Sequence, residues 1–171
     1  FYAARTHAVI PVGDCLLGNP VFAEVLQIVL THMEKHRISA YDEGTGAGLV
    51  RHLLMRRGHH SGEVMVCLVV NAGTDAHLPA AKELADRLFA EIPGMTSLSL
   101  NCNTARNNVI LGKQLILVRG KPFIEDSMCG LRFRISPLSF YQVNTAQAER
   151  LYEQAMTFAE LRGGETVLDL Y

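Results

Sequence analysis

The chain has 171 residues, of which 49% are hydrophobic. This content excludes an intrinsically disordered protein. It suffices for one hydrophobic core of ordinary size and a smaller additional unit. Its 16 lysines and arginines nearly balance 17 aspartates and glutamates, so any contact with a nucleic acid must be a local patch. No apolar run approaches the roughly 18 to 20 residues that span a bilayer, so we expect a soluble cytoplasmic protein without a membrane partner.

Two stretches carry apolar residues at helical spacing. The first follows Asn19 and Pro20, a good N-cap and first-turn pair, and predicts a helix over about residues 20–35. The second stretch ends at a proline-glycine pair and predicts a helix over residues 78–91.

Between these helices lie two apolar runs, 49–57 and 63–71, separated by a turn with two glycines, and they should pair as an antiparallel hairpin. The second run is apolar without interruption, as expected for a central strand covered on both faces. Five shorter apolar runs should extend the sheet as a meander, at 97–100, 109–111, 115–118, 123–125 and 131–135. This order predicts an α+β fold over residues 1–134, with two helices packed on a mainly antiparallel sheet.

The pattern changes from residue 135 onward. A helix is predicted over 145–160, with Asn144 as its N-cap. After a glycine pair, the run 166–170 is typical of a strand, with Asp169 near its carboxyl end, where ligands meet the sheet in nucleotide-binding α/β folds. We interpret 135–171 as the start of a second unit, and the chain, which begins without methionine, as a segment of a longer protein.

The candidate RNA contacts are few and local. The predicted hairpin and its tip carry the basic or titratable side chains Arg51, His52, Arg56, Arg57, His59 and His60. Phosphate binding is one hypothesis for this patch, and a solvated turn is the other. Four asparagines downstream could bond nucleotides or serve turns that need left-handed backbone, at Asn101, Asn103, Asn107 and Asn108.

Three runs of the sequence, 134–145, 147–152 and 167–171, closely resemble the bacterial 23S rRNA uracil-5-methyltransferases. Further runs extend the resemblance over essentially the whole chain, at 39–43, 49–53, 62–66 and 107–112. The resemblance implies that residues 1–134 form a central domain that follows an RNA-binding barrel. It also implies that residues 135–171 are the first helix and strand of an incomplete Rossmann-like methyltransferase domain.

By this resemblance, Gln142 and Tyr171 would contact S-adenosylmethionine, and Phe140 would lie near the target base, where it could stack on a flipped uracil. From the residues alone, Phe140 fits a core or hinge aromatic equally well, and Gln142 fits a loop amide bonded to nearby backbone. Cys15 matches the segment that carries the fourth cysteine ligand of an iron-sulfur cluster in some members. The other three ligands would lie upstream of Phe1, and an inert small hydrophobe is the alternative.

The implied activity is transfer of a methyl group from S-adenosylmethionine to C5 of a uridine in ribosomal RNA. A cysteine thiolate adds to C6 of the base, which makes C5 nucleophilic, and a general base later removes the C5 proton. In the family both groups lie downstream of the position of Tyr171, so we expect this chain alone to be inactive. We also expect it to self-associate through its C-terminal segment.

Two other functions stay open at this stage. One is a noncatalytic RNA-binding or scaffolding domain, and the other is a methyltransferase with a different substrate. The four cysteines form no CxxC pair, which argues against a zinc ribbon and against a disulfide framework, and we expect most of them to be reduced and structural: Cys15, Cys67, Cys102 and Cys129.

Overall fold

The computed structural model describes residues 3–6, 8–13, 15, 17–168 and 170. Its elements, in chain order, are α1 (Val21–Lys35), β1 (Val50–Arg57), β2 (Val64–Val70), α2 (Ala81–Glu91), β3 (Met95–Cys102), β4 (Gln114–Gly120), β5 (Ile124–Met128), β6 (Leu131–Ile135) and α3 (Thr145–Ala159). The predicted α+β class is confirmed. None of the helices in this part of the chain is long and apolar enough to cross a membrane.

The main sheet has four strands in the order β1-β2-β3-β4. Strands β1 and β2 form the predicted antiparallel hairpin, with Leu54 opposite Cys67. Strands β2 and β3 are parallel, with Cys67 opposite Ser99, and β3 and β4 are antiparallel. The sheet is therefore mixed, and the prediction of a meander is wrong at β3. A parallel neighbour requires a crossover connection, and α2 provides it.

Two further predictions about strands are wrong. The run 109–111 forms no strand and belongs to the loop between β3 and β4. Strands β5 and β6 do not extend the main sheet but pair with each other, with Ile124 opposite Ile135. A short apolar run predicts that a strand exists, whereas the neighbour it pairs with depends on packing between distant residues.

Strand β2 is buried on both faces, as its continuous apolar sequence predicts. Alternate side chains of a strand point to opposite faces of the sheet. One face of β2 packs against the helical layer, in a core with Val25 and Val29 of α1 and Leu84 and Leu88 of α2. On the other face, Met65 packs against residues of the β5–β6 hairpin, Ile124 and Ile135, with Tyr141 beside them. The sheet thus separates a helical side from a hairpin side.

Helix α3 packs only at its beginning. The side chain of Asn144 accepts a hydrogen bond from the N–H of Gln147 over 3.2 Å, which confirms the predicted N-cap. Thr145 and Ala148 are buried, but Phe158, near the other end, is 78% exposed. The rest of the helix therefore presents apolar side chains to solvent.

The C-terminal run does not form the expected strand among the residues that the structure describes, and Val167 and Leu168 are exposed. A strand needs a hydrogen-bonding partner, and none of the six strands in the described part of the chain pairs with this run. The acid and the aromatic singled out here, Asp169 and Tyr171, lie outside the described residues.

Candidate functional site

The residues between β6 and α3, 136–144, form a connection that we call the joining segment. It contains Phe140 and Gln142, two of the residues that the sequence singles out. Within the segment, the hydroxyls of Ser136 and Ser139 lie 3.0 Å apart, and the Ser139 hydroxyl also accepts the N–H of Ser136 over 3.0 Å. These bonds fold the start of the segment into a compact turn.

Two side chains of the central unit hold the joining segment. Nη2 of Arg56 donates a hydrogen bond to the carbonyl oxygen of Ser139 over 2.7 Å. The hydroxyl of Tyr141 lies 3.3 Å from Oδ2 of Asp126 and 3.4 Å from the carbonyl oxygen of Ser127, so its single hydrogen is within reach of both acceptors. Burial, and then the charge of Asp126 and its hydrogen bond, raise the pKa of Tyr141 to about 12, so the phenol stays protonated as a donor. The segment is therefore fixed to β1 and to β5.

Phe140 and Gln142 are left open by this anchoring. Phe140 is 85% exposed, which excludes the core position that the sequence left open for it. Gln142 is half-buried, and its carbonyl oxygen accepts a hydrogen bond from Oγ1 of Thr145 over 3.3 Å. Its side-chain amide makes no hydrogen bond to the part of the chain that the structure describes. The anchored segment thus carries an exposed aromatic ring and an amide that has no hydrogen-bond partner among the described residues.

Arg56 and Arg51, predicted to contact RNA, are both engaged within the protein. Arg56 is half-buried, and burial lowers the pKa of its guanidinium. Nη1 of Arg51 donates to the carbonyl oxygens of Asn103 and Ala105 over 2.9 and 2.8 Å, and its guanidinium lies 4.4 Å from the centre of the Tyr41 ring. RNA binding by these two arginines stays a prediction, and it would compete with the internal contacts.

The other two residues predicted on strand β1, His52 and Arg57, differ in charge. Burial, followed by the neighbouring charge of Arg51, lowers the pKa of His52, so this imidazole is neutral near pH 7 and offers no attraction to phosphate. Arg57, by contrast, is exposed at the end of β1. Among the four residues predicted on this strand, Arg57 is therefore the one with a cation open to a phosphate.

The hairpin tip already holds an anion. The carboxylate of Asp126 accepts the main-chain N–H of His59 over 2.8 Å, of His60 over 2.9 Å and of Ser61 over 3.0 Å. Burial alone would raise the pKa of Asp126, but these hydrogen bonds outweigh it and lower the pKa, so the side chain is ionised. Successive N–H groups of this kind form an anion-binding concavity. An internal carboxylate occupies it, which favours a structural role for the turn.

Glu149, in the first turns of α3, is a residue that the sequence did not point to. Its Oε1 accepts the N–H of Cys129 over 3.1 Å and lies 3.1 Å from Nε2 of His60. These two contacts lower the pKa of Glu149, the first of them most. The beginning of α3 is thereby tied both to the hairpin tip and to the turn between β5 and β6.

Two of the asparagines have a clear structural role. The side-chain amide of Asn101 donates to the carbonyl oxygens of Gly112 and Gln114, and that of Asn103 donates to Val109 and Ile110. Both side chains are buried, so they hold the loop between β3 and β4 rather than a nucleotide.

Three of the four cysteines have a raised pKa, which disfavours their thiolates. Burial raises the pKa of Cys67, which lies inside β2, and it also raises the pKa of Cys102 and Cys129. Cys15 is exposed, and no metal-binding group in the described residues includes it. Its role as an iron-sulfur ligand stays a prediction.

Comparisons with known proteins show what the chain is similar to. No protein-family profile matches the chain. Curated relatives do match along its whole length: RNA methyltransferases of Caldanaerobacter subterraneus (42% identity over 171 residues), Lactococcus lactis (41% over 172) and Staphylococcus epidermidis (40% over 171). The chain is thus similar to bacterial proteins named as RNA methyltransferases. The chain spans 37% of the length of each of these relatives.

A solved structure resembles this chain in its fold. The crystal structure of the Pyrococcus abyssi tRNA (uracil-54, C5)-methyltransferase in complex with S-adenosyl-L-homocysteine superposes with a TM-score of 0.74 at 22% identity. The match covers 91% of this chain and 37% of that one. The mixed sheet with its helices is thus an architecture that occurs within a uracil methyltransferase.

Proposed function

We propose that the chain is the central part, and the start of the catalytic domain, of an enzyme that transfers a methyl group from S-adenosylmethionine to C5 of a uridine in 23S rRNA. The observation that carries this proposal is the joining segment. Two hydrogen-bonded anchors fix its backbone, while Phe140 is exposed and the Gln142 amide makes no hydrogen bond to the described residues. Similarity to RNA methyltransferases over the full chain supports it.

The residues present suit one edge of a cofactor pocket. A glutamine amide both donates and accepts, so Gln142 can bond a polar group of S-adenosylmethionine without competing against an internal partner in the described structure. When bound, this cofactor supplies the methyl group. The role that we assign to Gln142 is to bind and orient it. We propose that Tyr171, outside the described residues, contributes to the same pocket.

Phe140 suits the neighbouring role of holding the target base. A base that reacts at a ring carbon must leave the stack, and flipped bases are held between aromatic or apolar side chains. An aromatic ring that is 85% exposed in this chain has its face available for such a contact. The fixed backbone on either side would keep the ring in place while the base enters.

Three of the four cysteines do not suit the role of the nucleophile. Attack on C6 of uracil requires a thiolate, whereas the pKa of Cys67, Cys102 and Cys129 is raised. We therefore propose that the rest of the protein supplies the cysteine and the general base.

The decisive experiment uses the whole protein, labelled S-adenosylmethionine, and unmodified 23S rRNA and tRNA as separate substrates. We expect label in 5-methyluridine of 23S rRNA. In RNA that carries 5-fluorouridine at the target, the C5 proton is replaced by fluorine, so we expect a covalent protein–RNA adduct. Label in tRNA alone would show that the proposed substrate is wrong. Binding of RNA without methylation would favour the noncatalytic alternative.

A further inference from the structure

A cluster of metal-ligating side chains lies where α1 and α2 meet, on the helical side of the sheet. His32 is in the last turn of α1, His36 is the C-cap residue that follows the helix, and Glu83 is in the first turn of α2. One ligand atom from each lies within 4.8 Å of the other two. Residues four apart on a helix share a face, so both imidazoles are directed to the same side of α1.

The distances suit a small divalent ion. Nε2 of His36 lies 3.1 Å from Oε2 of Glu83. Zinc bonds of about 2.0 to 2.1 Å in a tetrahedron place two ligand atoms about 3.3 Å apart. An ion could therefore replace the proton between His36 and Glu83 with a small shift of either side chain. The rings of His32 and His36 have centroids 4.5 Å apart, which keeps the third ligand within reach.

The hydrogen bond of His32 fixes the tautomer that a metal ligand needs. It is only 4% exposed, and its Nε2 lies 3.0 Å from the carbonyl oxygen of Pro79. A carbonyl only accepts, so this nitrogen carries the proton and the other ring nitrogen keeps its lone pair. Metal-bound histidines typically donate their second ring N–H in this way.

We propose that His32, His36 and Glu83 bind one zinc-class divalent ion that links α1 to α2. Two imidazoles and one carboxylate suit zinc and its first-row neighbours, whereas magnesium and calcium prefer oxygen ligands throughout. His36 and Glu83 are partly open to solvent, which leaves the fourth position to water. The joining segment lies on the opposite face of the sheet, so this ion would stabilise the helical layer and take no part in methyl transfer.

Lys35 provides a way to separate this proposal from a simple surface ion pair. Its ammonium lies 2.6 Å from Oε1 of Glu83, and its side chain is 61% exposed. A bound divalent ion would be repelled by this ammonium and would compete with it for the carboxylate. Removing the lysine charge should therefore strengthen metal binding, although it removes an ion pair.

The experiment uses the full chain after chelator treatment. Zinc is titrated by calorimetry, and cobalt is added in parallel because its visible absorption reports tetrahedral coordination. We expect one ion per chain, an affinity at least tenfold lower in His36→Ala and in Glu83→Gln, and a severalfold higher affinity in Lys35→Gln. His59→Ala, which removes an exposed histidine of the hairpin tip, is the matched control and should bind as the unaltered chain does.

The thermal midpoint gives a second readout, since a ligand that binds only the folded state stabilises it. Zinc should raise this midpoint in the unaltered chain and not in Glu83→Gln. Equal zinc affinity in the unaltered chain, His36→Ala and Glu83→Gln would overturn the proposal. So would a folded chain that binds no zinc at micromolar concentration, or weaker binding in Lys35→Gln. Substitutions at His36 and Glu83 avoid the core, so the test does not depend on a variant of buried His32.

Discussion

The guanidinium of Arg56, on β1, donates a hydrogen bond over 2.7 Å to the main-chain oxygen of Ser139, which lies 83 residues further along the chain. Strand β1 is at the edge of the main sheet, and Ser139 is in the joining segment. One side chain therefore connects the central unit to the backbone that carries Phe140 and Gln142.

Replacing Arg56 with methionine should release this segment while keeping the apolar stem of the side chain. A hydrogen bond from a charged group contributes about 1.5 to 3 kcal/mol, and the cost of burying the guanidinium reduces this, so we expect the free energy of unfolding to fall by about 1 to 2 kcal/mol. Hydrogen exchange of residues 139–143 should accelerate. Arg57→Met, at the exposed neighbour, should change stability by less than about 0.5 kcal/mol. Equal exchange in both variants would contradict the assignment.

Replacing Gln142 with alanine in the whole protein should weaken cofactor binding. The change removes a donor and an acceptor that make no hydrogen bond within the described structure, so folding should be nearly unaffected. Loss of a hydrogen bond to a ligand corresponds to about 1 to 3 kcal/mol, or roughly 5- to 150-fold in the dissociation constant of S-adenosylmethionine. Calorimetry measures this, with Gln147→Ala on exposed α3 as the control. An unchanged constant for Gln142→Ala would remove Gln142 from the pocket.

Asp126 should make the stability of the chain depend on pH. Its folded pKa is lowered from the ordinary value near 3.9 by three N–H donors. A lowered folded pKa stabilises the protein above the ordinary value, and this contribution is lost as the pH falls through the folded pKa. Asp126→Ala should therefore cost about 2 to 4 kcal/mol at pH 7, and the difference should shrink below about pH 4. Urea unfolding at several pH values tests this; a difference independent of pH would contradict it.

The exposed face of α3 should cause the chain to self-associate. Leu151, Met156 and Phe158 are each more than half exposed, and apolar surface gains about 25 cal/mol for each Å² removed from water. We expect sedimentation to show an equilibrium between monomer and oligomer that shifts toward monomer on dilution. Substituting all three residues with glutamate should abolish it, whereas glutamate at three exposed polar positions of the same helix should not. A strictly monomeric unaltered chain at high concentration would show that this expectation is wrong.

The chain by itself should not methylate RNA. Three of its cysteines have a raised pKa, and Gln142 is the one predicted cofactor contact among the described residues. With labelled S-adenosylmethionine and unmodified 23S rRNA we expect no label above background, while the whole protein serves as the positive control. Reproducible labelling of uridine C5 by the chain would place the reactive residues within it.

Local sequence patterns were sufficient for the elements themselves. The spacing of apolar residues predicted α1 to within one residue, and the uninterrupted apolar run predicted the buried strand β2. The parallel pairing of β3 was missed, although a helix between two strands is the sequence signal of such a crossover. Strand patterns specify which side chains face a core, and they do not specify which strand lies alongside.

The hydrogen bonds that hold the joining segment and the start of α3 could not be predicted from the sequence, because their partners are far apart along the chain. Asp126 meets the hairpin tip across 65 to 67 residues, and Glu149 meets His60 across 89. Pairs at such separations leave no periodicity in the sequence. Phe140 and Gln142 were singled out through resemblance to a family, whereas the side chains that fix their backbone became visible only once the chain was folded.

The parallel pair of β2 and β3 also has a consequence for the folding kinetics of this chain. The β1–β2 hairpin closes a short loop, and such hairpins form in about 1 to 10 μs. Strand β3 can pair with β2 only after the chain has crossed over through α2. Contacts between residues distant in sequence slow folding because they require larger loops to close. We therefore expect the docking of β3 to limit the folding rate, with the hairpin already formed in the transition state.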